Sequence, residues 1–205
     1  MCDDVPSPIN LQDLADAKEW ERSALQKRPS RPEFFELFTS ELSNHHSAVT
    51  NVLELGSGPG FLAEHLLNKF SNISYVALDF SGAMHELSRL RLGVTAVRVN
   101  FVERSFKETN WTRELGKFSC VVTNQAVHEL RHKRHASALH REVRTILESG
   151  GLYLVCDHFA GSDGMANREL YMTQDEQRVA LVDGGFSNPV LLKTADSLTM
   201  YRAAG

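Results

Sequence analysis

The spacing of hydrophobic and polar positions changes near residue 50, and that change divides the chain into two stretches. Before it, residues 9–28 and 32–43 predict two helices, the second carrying Phe34, Phe35, Phe38 and Leu42 at helical spacing. Pro29 and Pro32 separate the two. From residue 51 the chain turns to short apolar runs, at 51–55 (NVLEL), 73–79 (ISYVALD), 94–99 (VTAVRV), 118–123 (FSCVVT) and 151–156 (GLYLVC). Helical patterns fall between them at 60–70, 81–91 and 133–148, the last with Ala136, Leu139, Val143, Ile146 and Leu147 on one face. The stretch 102–117 reads mostly as loop.

Apolar runs without alternation suit strands of a parallel sheet whose two faces are both covered by helices. Strand–helix alternation then predicts a doubly wound α/β sheet. Beyond Asp157, a helix at 173–183 ends at Gly184 and Gly185, and two strands follow at 189–193 (PVLLK) and 197–202 (SLTMYR). Only Thr194, Ala195 and Asp196 join these strands, a connection short enough to require antiparallel pairing. The expected architecture is a mostly parallel, seven-stranded sheet closed by a C-terminal antiparallel hairpin. Residues 1–48 would form an N-terminal helical cap on an α/β core of 49–205, in one domain, since no repeat or linker interrupts the pattern.

Composition adds exclusions. At 205 residues, 42% hydrophobic and 23% charged, the chain can bury a sizeable core. A net charge of −4 argues against a broad nucleic-acid surface. Cys2, Cys120 and Cys156 match no zinc or CxxC spacing and read as small hydrophobes in a reducing compartment. The opening MCDDVPSP has no apolar core of a signal peptide, and no run is long enough to span a bilayer. The expectation is a cytoplasmic protein, monomer or homodimer, without membrane partners.

Candidate chemistry starts at VLELGSGPG (52–60), where Gly56, Gly58 and Gly60 leave the first strand at alternate positions before a helix. Glycines there let the backbone turn tightly and approach a ligand closely. Nineteen residues after Gly60, Asp79 ends the second strand, placed to accept hydrogen bonds from both ribose hydroxyls of a nucleoside. A dinucleotide fingerprint, GxGxxG, would want glycine at Phe61. The order found is GxGxG, with Glu54 just before it. Glu54 suits an ammonium or sulfonium better than a pyrophosphate, which points to S-adenosylmethionine (SAM).

With these motifs the chain resembles the class I SAM-dependent methyltransferases from residue 50 onward. ELGSGPG (54–60) looks like the nucleotide-binding loop, which includes Ser57, and ALDFSGAM (77–84) like the second motif. The resemblance implies Asp79 on the ribose, and Phe80 or Met84 near the adenine. VNF (99–101) falls where the family has an acidic and then an apolar residue beside the adenine, which implies those places for Asn100 and Phe101. FSCVVTNQAVHEL (118–130) and GGLYLVCDHF (150–159) are similar to the fourth- and fifth-strand motifs. The implied fold is Rossmann-like, with SAM as cofactor and no metal.

Ligands of such sheets bind at the carboxyl ends of the strands. Asn124 is therefore expected at the cofactor, Gln125 and His128 at the acceptor, and His128 and His158 are the candidate bases. Trp20, Phe34 and Phe38 would wall the acceptor if the N-terminal helices close over it, with 159–172 as a second covering segment. HELRH (128–132) matches a zinc-protease signature, but that motif needs one continuous helix and here follows a strand directly. The run RHKRH (131–135) places fixed positive charges before a helix, where a substrate carboxylate or phosphate, or simply solvent, would offset them. These features favour methyl transfer to a small molecule, anionic or aromatic. A protein acceptor, a non-catalytic SAM-binding module and a nucleotide-dependent oxidoreductase are the competing readings.

Overall fold

The structure, a computed structural model, describes residues 3–27, 29–45 and 48–205; Cys2 and Arg28 of the sequence readings lie outside the described residues. Two helices, α1 (Leu14–Lys27) and α2 (Arg31–Asn44), precede the sheet. Helix α1 starts five residues later than its apolar spacing predicts. Asp13 decides this: its carboxylate accepts the N–H groups of Ala15 at 2.9 Å and Asp16 at 3.1 Å, ending the preceding turns as an N-cap does. Pro32 in the first turn of α2 supplies no N–H where none is needed.

The strands are β1 (Asn51–Leu55), β2 (Ser74–Asp79), β3 (Val99–Glu103), β4 (Phe118–Asn124), β5 (Leu147–His158), β6 (Ser187–Ala195) and β7 (Leu198–Ala204). They form one seven-stranded sheet in the order β3-β2-β1-β4-β5-β7-β6. β1 to β5 pair in parallel, and β7 runs antiparallel to both β5 and β6. The helices α3 (Phe61–Lys69), α4 (Gly82–Leu92), α5 (Ala136–Ile146) and α6 (Gln174–Asp183) connect them. Successive strand residues feed opposite layers. Leu53, Val121 and Tyr153 pack with α5 and α6, whereas Val52, Val122 and Leu154 pack with α2 and α3. Burial on both faces is why the strands read as unbroken apolar runs. The expected mixed sheet and closing hairpin are therefore present.

One strand was misplaced by the sequence pattern. The run VTAVRV lies mostly in a 3₁₀ turn over Gly93–Arg98, and β3 begins only at Val99. Val94 and Val97 mimic a strand by their branching, yet each is 90% exposed. Arg98 fixes the turn by donating to the carbonyls of Leu67, Phe70 and Ser71 at the end of α3. The carboxyl tip of β3 thus moves from Val99 to Glu103, which bears on the site. At the other boundary, Leu147 leaves α5 and opens β5, four residues before the predicted strand, with an irregular register opposite Phe118 and Cys120.

Candidate functional site

The order of the sheet reverses between β1 and β4, and a crevice opens there at the carboxyl ends of the strands, where α/β folds receive ligands. The loop after β1 forms its floor. Gly56 has φ +65°, and a Cβ there would meet the Cβ of Ala126 at 2.3 Å, so only glycine lets the loops after β1 and β4 close together. Gly60, at φ +81°, caps α3, and a Cβ on it would strike Ser88 Oγ at 2.3 Å. Between them the Gly58 N–H donates to Asp79 Oδ2 at 2.8 Å, while Ser81 N–H donates to Oδ1 at 3.0 Å. Asp79 is thereby fixed at the tip of β2 by two backbone groups, with lone pairs remaining for a ligand. Its burial pushes the carboxyl up to about 6, against those N–H bonds.

Glu54, almost fully buried, lines the crevice beneath the loop. Burial pushes its carboxyl up to about 8, although the Tyr75 hydroxyl donates to Oε2 at 2.8 Å. A carboxyl in that state becomes a strong partner for any cation that enters. Ser57 Oγ and Asn124 Oδ1, both on the crevice wall, are buried and have no hydrogen-bond partner among the described residues. A polar ligand would satisfy them.

The far end of the crevice is built from side chains distant in sequence. His128 lies on a short 3₁₀ turn after β4, and its Nδ1 is 2.6 Å from Asp157 Oδ1 on β5. The His128 backbone N–H also donates to Asp157 Oδ2 at 2.8 Å, and Nε2 is 3.4 Å from Glu129 Oε1. Burial disfavours charge on this imidazole, but the Asp157 and Glu129 carboxylates outweigh it and raise its pKa to about 10. Asp157, despite burial, is held below the ordinary carboxylate range by the same pairing. His158 Nδ1 is 3.0 Å from Ser197 Oγ. The rings of His128, His158 and Tyr171 meet at centroid separations of 5.3, 5.4 and 5.8 Å, making an aromatic corner.

Residues 52–151 match the family model described as a methyltransferase domain. That match spans 100 of the 205 residues, just under half of the chain, and makes them similar to a methyltransferase domain. Solved structures agree on the fold. An O-methyltransferase family protein from Burkholderia thailandensis aligns with a TM-score of 0.76 and 15% identity, over 94% of this chain and 60% of its own. A SAM-dependent methyltransferase from Clostridium acetobutylicum aligns at 0.72 and 11%, over 92% and 96%. PigF, solved with S-adenosylhomocysteine (SAH), aligns at 0.71 and 15%, over 95% and 60%. The chain thus spans about three fifths of the Burkholderia protein and of PigF. No curated protein matches it.

The crevice brings together Glu54, Gly56, Ser57, Gly58, Asp79, Phe80, Met84, Asn124, Gln125, His128, His158 and Trp20 of the residues expected from sequence. Gly60 shapes the loop without lining it. Four expectations fail. Phe34 and Phe38 are fully buried against the sheet, in the layer with α3, and do not reach the crevice. The aromatic stripe is core. Asn100 and Phe101 sit inside β3 rather than at its tip: Asn100 is exposed, and Phe101 packs under Arg89 and against the edge of His85. Because β3 starts late, Phe106 reaches the crevice instead.

Glu129 lines the crevice as its place at the exit of β4 predicts, and Arg31, Phe61 and Tyr171 join it there. Phe61, where a dinucleotide loop would have glycine, carries the Arg91 guanidinium 3.8 Å from its ring centroid. Arg91 in turn donates to the Pro59 carbonyl at 2.9 Å and to Glu21 at 2.6 Å, tying the loop to α1. The HELRH stretch is no helix, because Arg131 adopts φ +66° and His132 is extended. The RHKRH charges have partners within the chain: Arg131 donates to the carbonyls of Val5 and Pro6, Arg134 to Asp4, and Lys133 to Glu176. The basic run therefore pins the N-terminal segment. That segment then passes the crevice at Leu11, whose carbonyl accepts from Ser81 Oγ at 2.5 Å. Finally, the Asp157 and Glu129 carboxylates favour the protonated form of His128, which works against the role of base expected for it.

Proposed function

We propose that this domain is a SAM-dependent methyltransferase acting on a small-molecule acceptor. One observation carries the reading. The GxGxG loop, the backbone-fixed Asp79 and the buried Glu54 converge in a single crevice at the switch point of a class I sheet. Glu54, Gly56, Ser57, Gly58, Asp79 and Asn124 would hold the cofactor, with Phe80, Met84 and Phe106 beside its adenine. Their chemistry fits it: Asp79 accepts hydroxyl hydrogens, Glu54 meets a cation, and the orphaned Ser57 and Asn124 oxygens gain partners. When bound, SAM supplies an electrophilic methyl group for in-line displacement by the acceptor's nucleophile.

The remaining residues define the acceptor's surroundings. Trp20, Phe61 and Tyr171 make an apolar, aromatic wall, and the pinned segment at Leu11 narrows access from outside. Such an enclosure suits a small aromatic or anionic molecule better than a polymer. The Burkholderia neighbour, named as an O-methyltransferase family protein, supports oxygen as the accepting atom. His158 is the imidazole left to take a proton from a hydroxyl acceptor. Protonated His128 would orient that acceptor or face its negative charge. Among the described residues, no helix is long and apolar enough to cross a membrane.

Calorimetric titration with SAM, SAH and NAD tests the cofactor: SAM and SAH bind and NAD does not. Incubation with methyl-labelled SAM and a metabolite extract then reads the acceptor from the mass of the labelled product. Label in a small molecule supports the reading. Label in protein would make the acceptor a polypeptide, and binding without transfer would make the chain a SAM sensor. His158→Gln is expected to lower kcat by about 10²- to 10⁴-fold, the usual span for a lost base. His158→Gln affecting only KM would remove His158 from proton transfer.

A further inference from the structure

The crevice has an order. Asp79 stands at the tip of β2, Glu54 and the glycine loop at β1, and Asn124 and Gln125 at β4, with β1 between β2 and β4. A nucleoside whose ribose rests on Asp79 therefore sends its 5′ substituent across β1 toward β4. For SAM that substituent ends in an α-amino acid, with an ammonium and a carboxylate on one carbon. Glu54 lies beneath the loop to meet the first.

Beyond it stands Arg31, the first residue of α2, only 3% exposed and lining the same crevice. Its guanidinium lies 5.8 Å from the Trp20 ring centroid and 5.7 Å from that of Phe61. Nη2 donates to Gln125 Oε1 at 2.9 Å. Gln125 is itself held in an unusual backbone state, φ +58°, by its N–H bond to the Cys156 carbonyl at 2.7 Å. Two aromatic rings and one amide oxygen thus fix the guanidinium beside the exit of β4. A fixed, planar fork of N–H donors is the group best matched to a carboxylate.

We propose that Arg31 receives the carboxylate of the cofactor's amino-acid end, so that Arg31 and Glu54 form a clamp for a zwitterion and Gln125 positions the arginine. The proposal rests on the cofactor reading above. It assigns α2 a binding role, so that the N-terminal helices take part in holding the methyl donor as well as covering the acceptor. It also accounts for a strained Gln125 whose side chain turns toward α2.

The test compares two ligands that share the nucleoside and thioether but differ in the amino acid: SAH, which has it, and 5′-methylthioadenosine, which does not. Affinities are measured by calorimetry for the wild type, Arg31→Ala, Arg31→Lys and Gln125→Ala, with an unfolding midpoint recorded for each without ligand. Arg31→Ala is expected to weaken SAH by about 10- to 100-fold, as for a lost charge-assisted pair, and to leave methylthioadenosine binding unchanged. Arg31→Lys should recover part of the loss, and Gln125→Ala should show a smaller loss confined to SAH. If Arg31→Ala does not fold, the other two variants carry the same comparison. Unchanged SAH affinity would overturn the proposal and leave Arg31 to the acceptor. Equal weakening of both ligands would overturn it in favour of a purely structural role. A wild type that binds neither ligand would instead sink the cofactor reading, and the clamp with it.

Discussion

The two ends of the crevice are built differently. At the nucleoside end, Glu54 to Gly60 and Asp79 to Ser81 are two short segments whose backbone groups do most of the holding, as in the Gly58 and Ser81 bonds to Asp79. At the far end, His128, the adjacent Asp157 and His158, and Tyr171 come from three separate places in the chain and are joined by their side chains. A backbone-built site needs glycines and one carboxylate, so it tolerates change around it. A site built from side chains can be altered one residue at a time, which suits the end that must differ between acceptors.

The contrast can be broken most forcefully at Asp157. Removing its carboxylate leaves the buried His128 without its main counter-charge, and losing one partner of a buried pair costs about 3–5 kcal/mol. Asp157→Ala should lower the unfolding free energy by that order in denaturant melts, and adding His128→Ala should recover part of it. A loss under about 1 kcal/mol would mean the pair is not holding the two strand tips together. Asp79→Ala attacks the other end, removing the acceptor of two backbone N–H groups along with the proposed ribose contact. It should weaken SAH binding by about 100-fold or more. Unchanged affinity would show that the ligand does not use the tip of β2.

The same contrast explains what the sequence revealed. Seven strands, the hairpin and the glycine loop were legible because each follows from local periodicity or a contiguous motif. Asp79 was legible because a strand end and a loop at fixed spacing imply it. The far end was legible only in part, through Gln125, His128 and His158 at the exits of β4 and β5: nothing near Arg31 signals that a cation between two prolines turns inward, nor that Asp157 will take His128's ring nitrogen. Phe34 and Phe38 misled because an aromatic stripe has the same spacing whether it faces core or ligand. Asn100 and Phe101 misled through a boundary, since two exposed valines in a 3₁₀ turn imitate a strand and shifted the tip of β3 by four residues.

A smaller effect tests how tightly the loops after β1 and β4 meet. Gly56→Ala adds a Cβ at a positive φ, and that atom would lie 2.3 Å from the Ala126 Cβ. The expected loss is about 1–3 kcal/mol of stability, the usual range for overpacking. Ala126→Gly in the same chain should return only the steric part, leaving the backbone strain. Full rescue would show that the left-handed backbone at residue 56 matters little; no rescue would show that the clash does.

The finest test lies in pH, and it separates Glu54 from every other group. Its carboxyl sits at about 8 in the folded chain, far above its ordinary value of 4.5, because burial penalises the charge. Between those values the folded protein keeps a proton that the unfolded chain releases, so stability falls as pH rises through that window. His128, at about 10, adds a similar decline higher up, and Asp79, at about 6, one lower down. Glu54→Gln removes only the first. The difference in melting temperature between Glu54→Gln and the wild type should therefore grow in favour of the variant from pH 5 to pH 8. If an ammonium then seats against Glu54, the carboxyl ionises, and SAH binding at pH 7 should release about one proton in the wild type and none in the variant. Calorimetry in two buffers of different ionisation enthalpy measures that proton. Equal release by both proteins would place the ammonium elsewhere, and the nucleoside end would then rest on backbone groups and Asp79 alone.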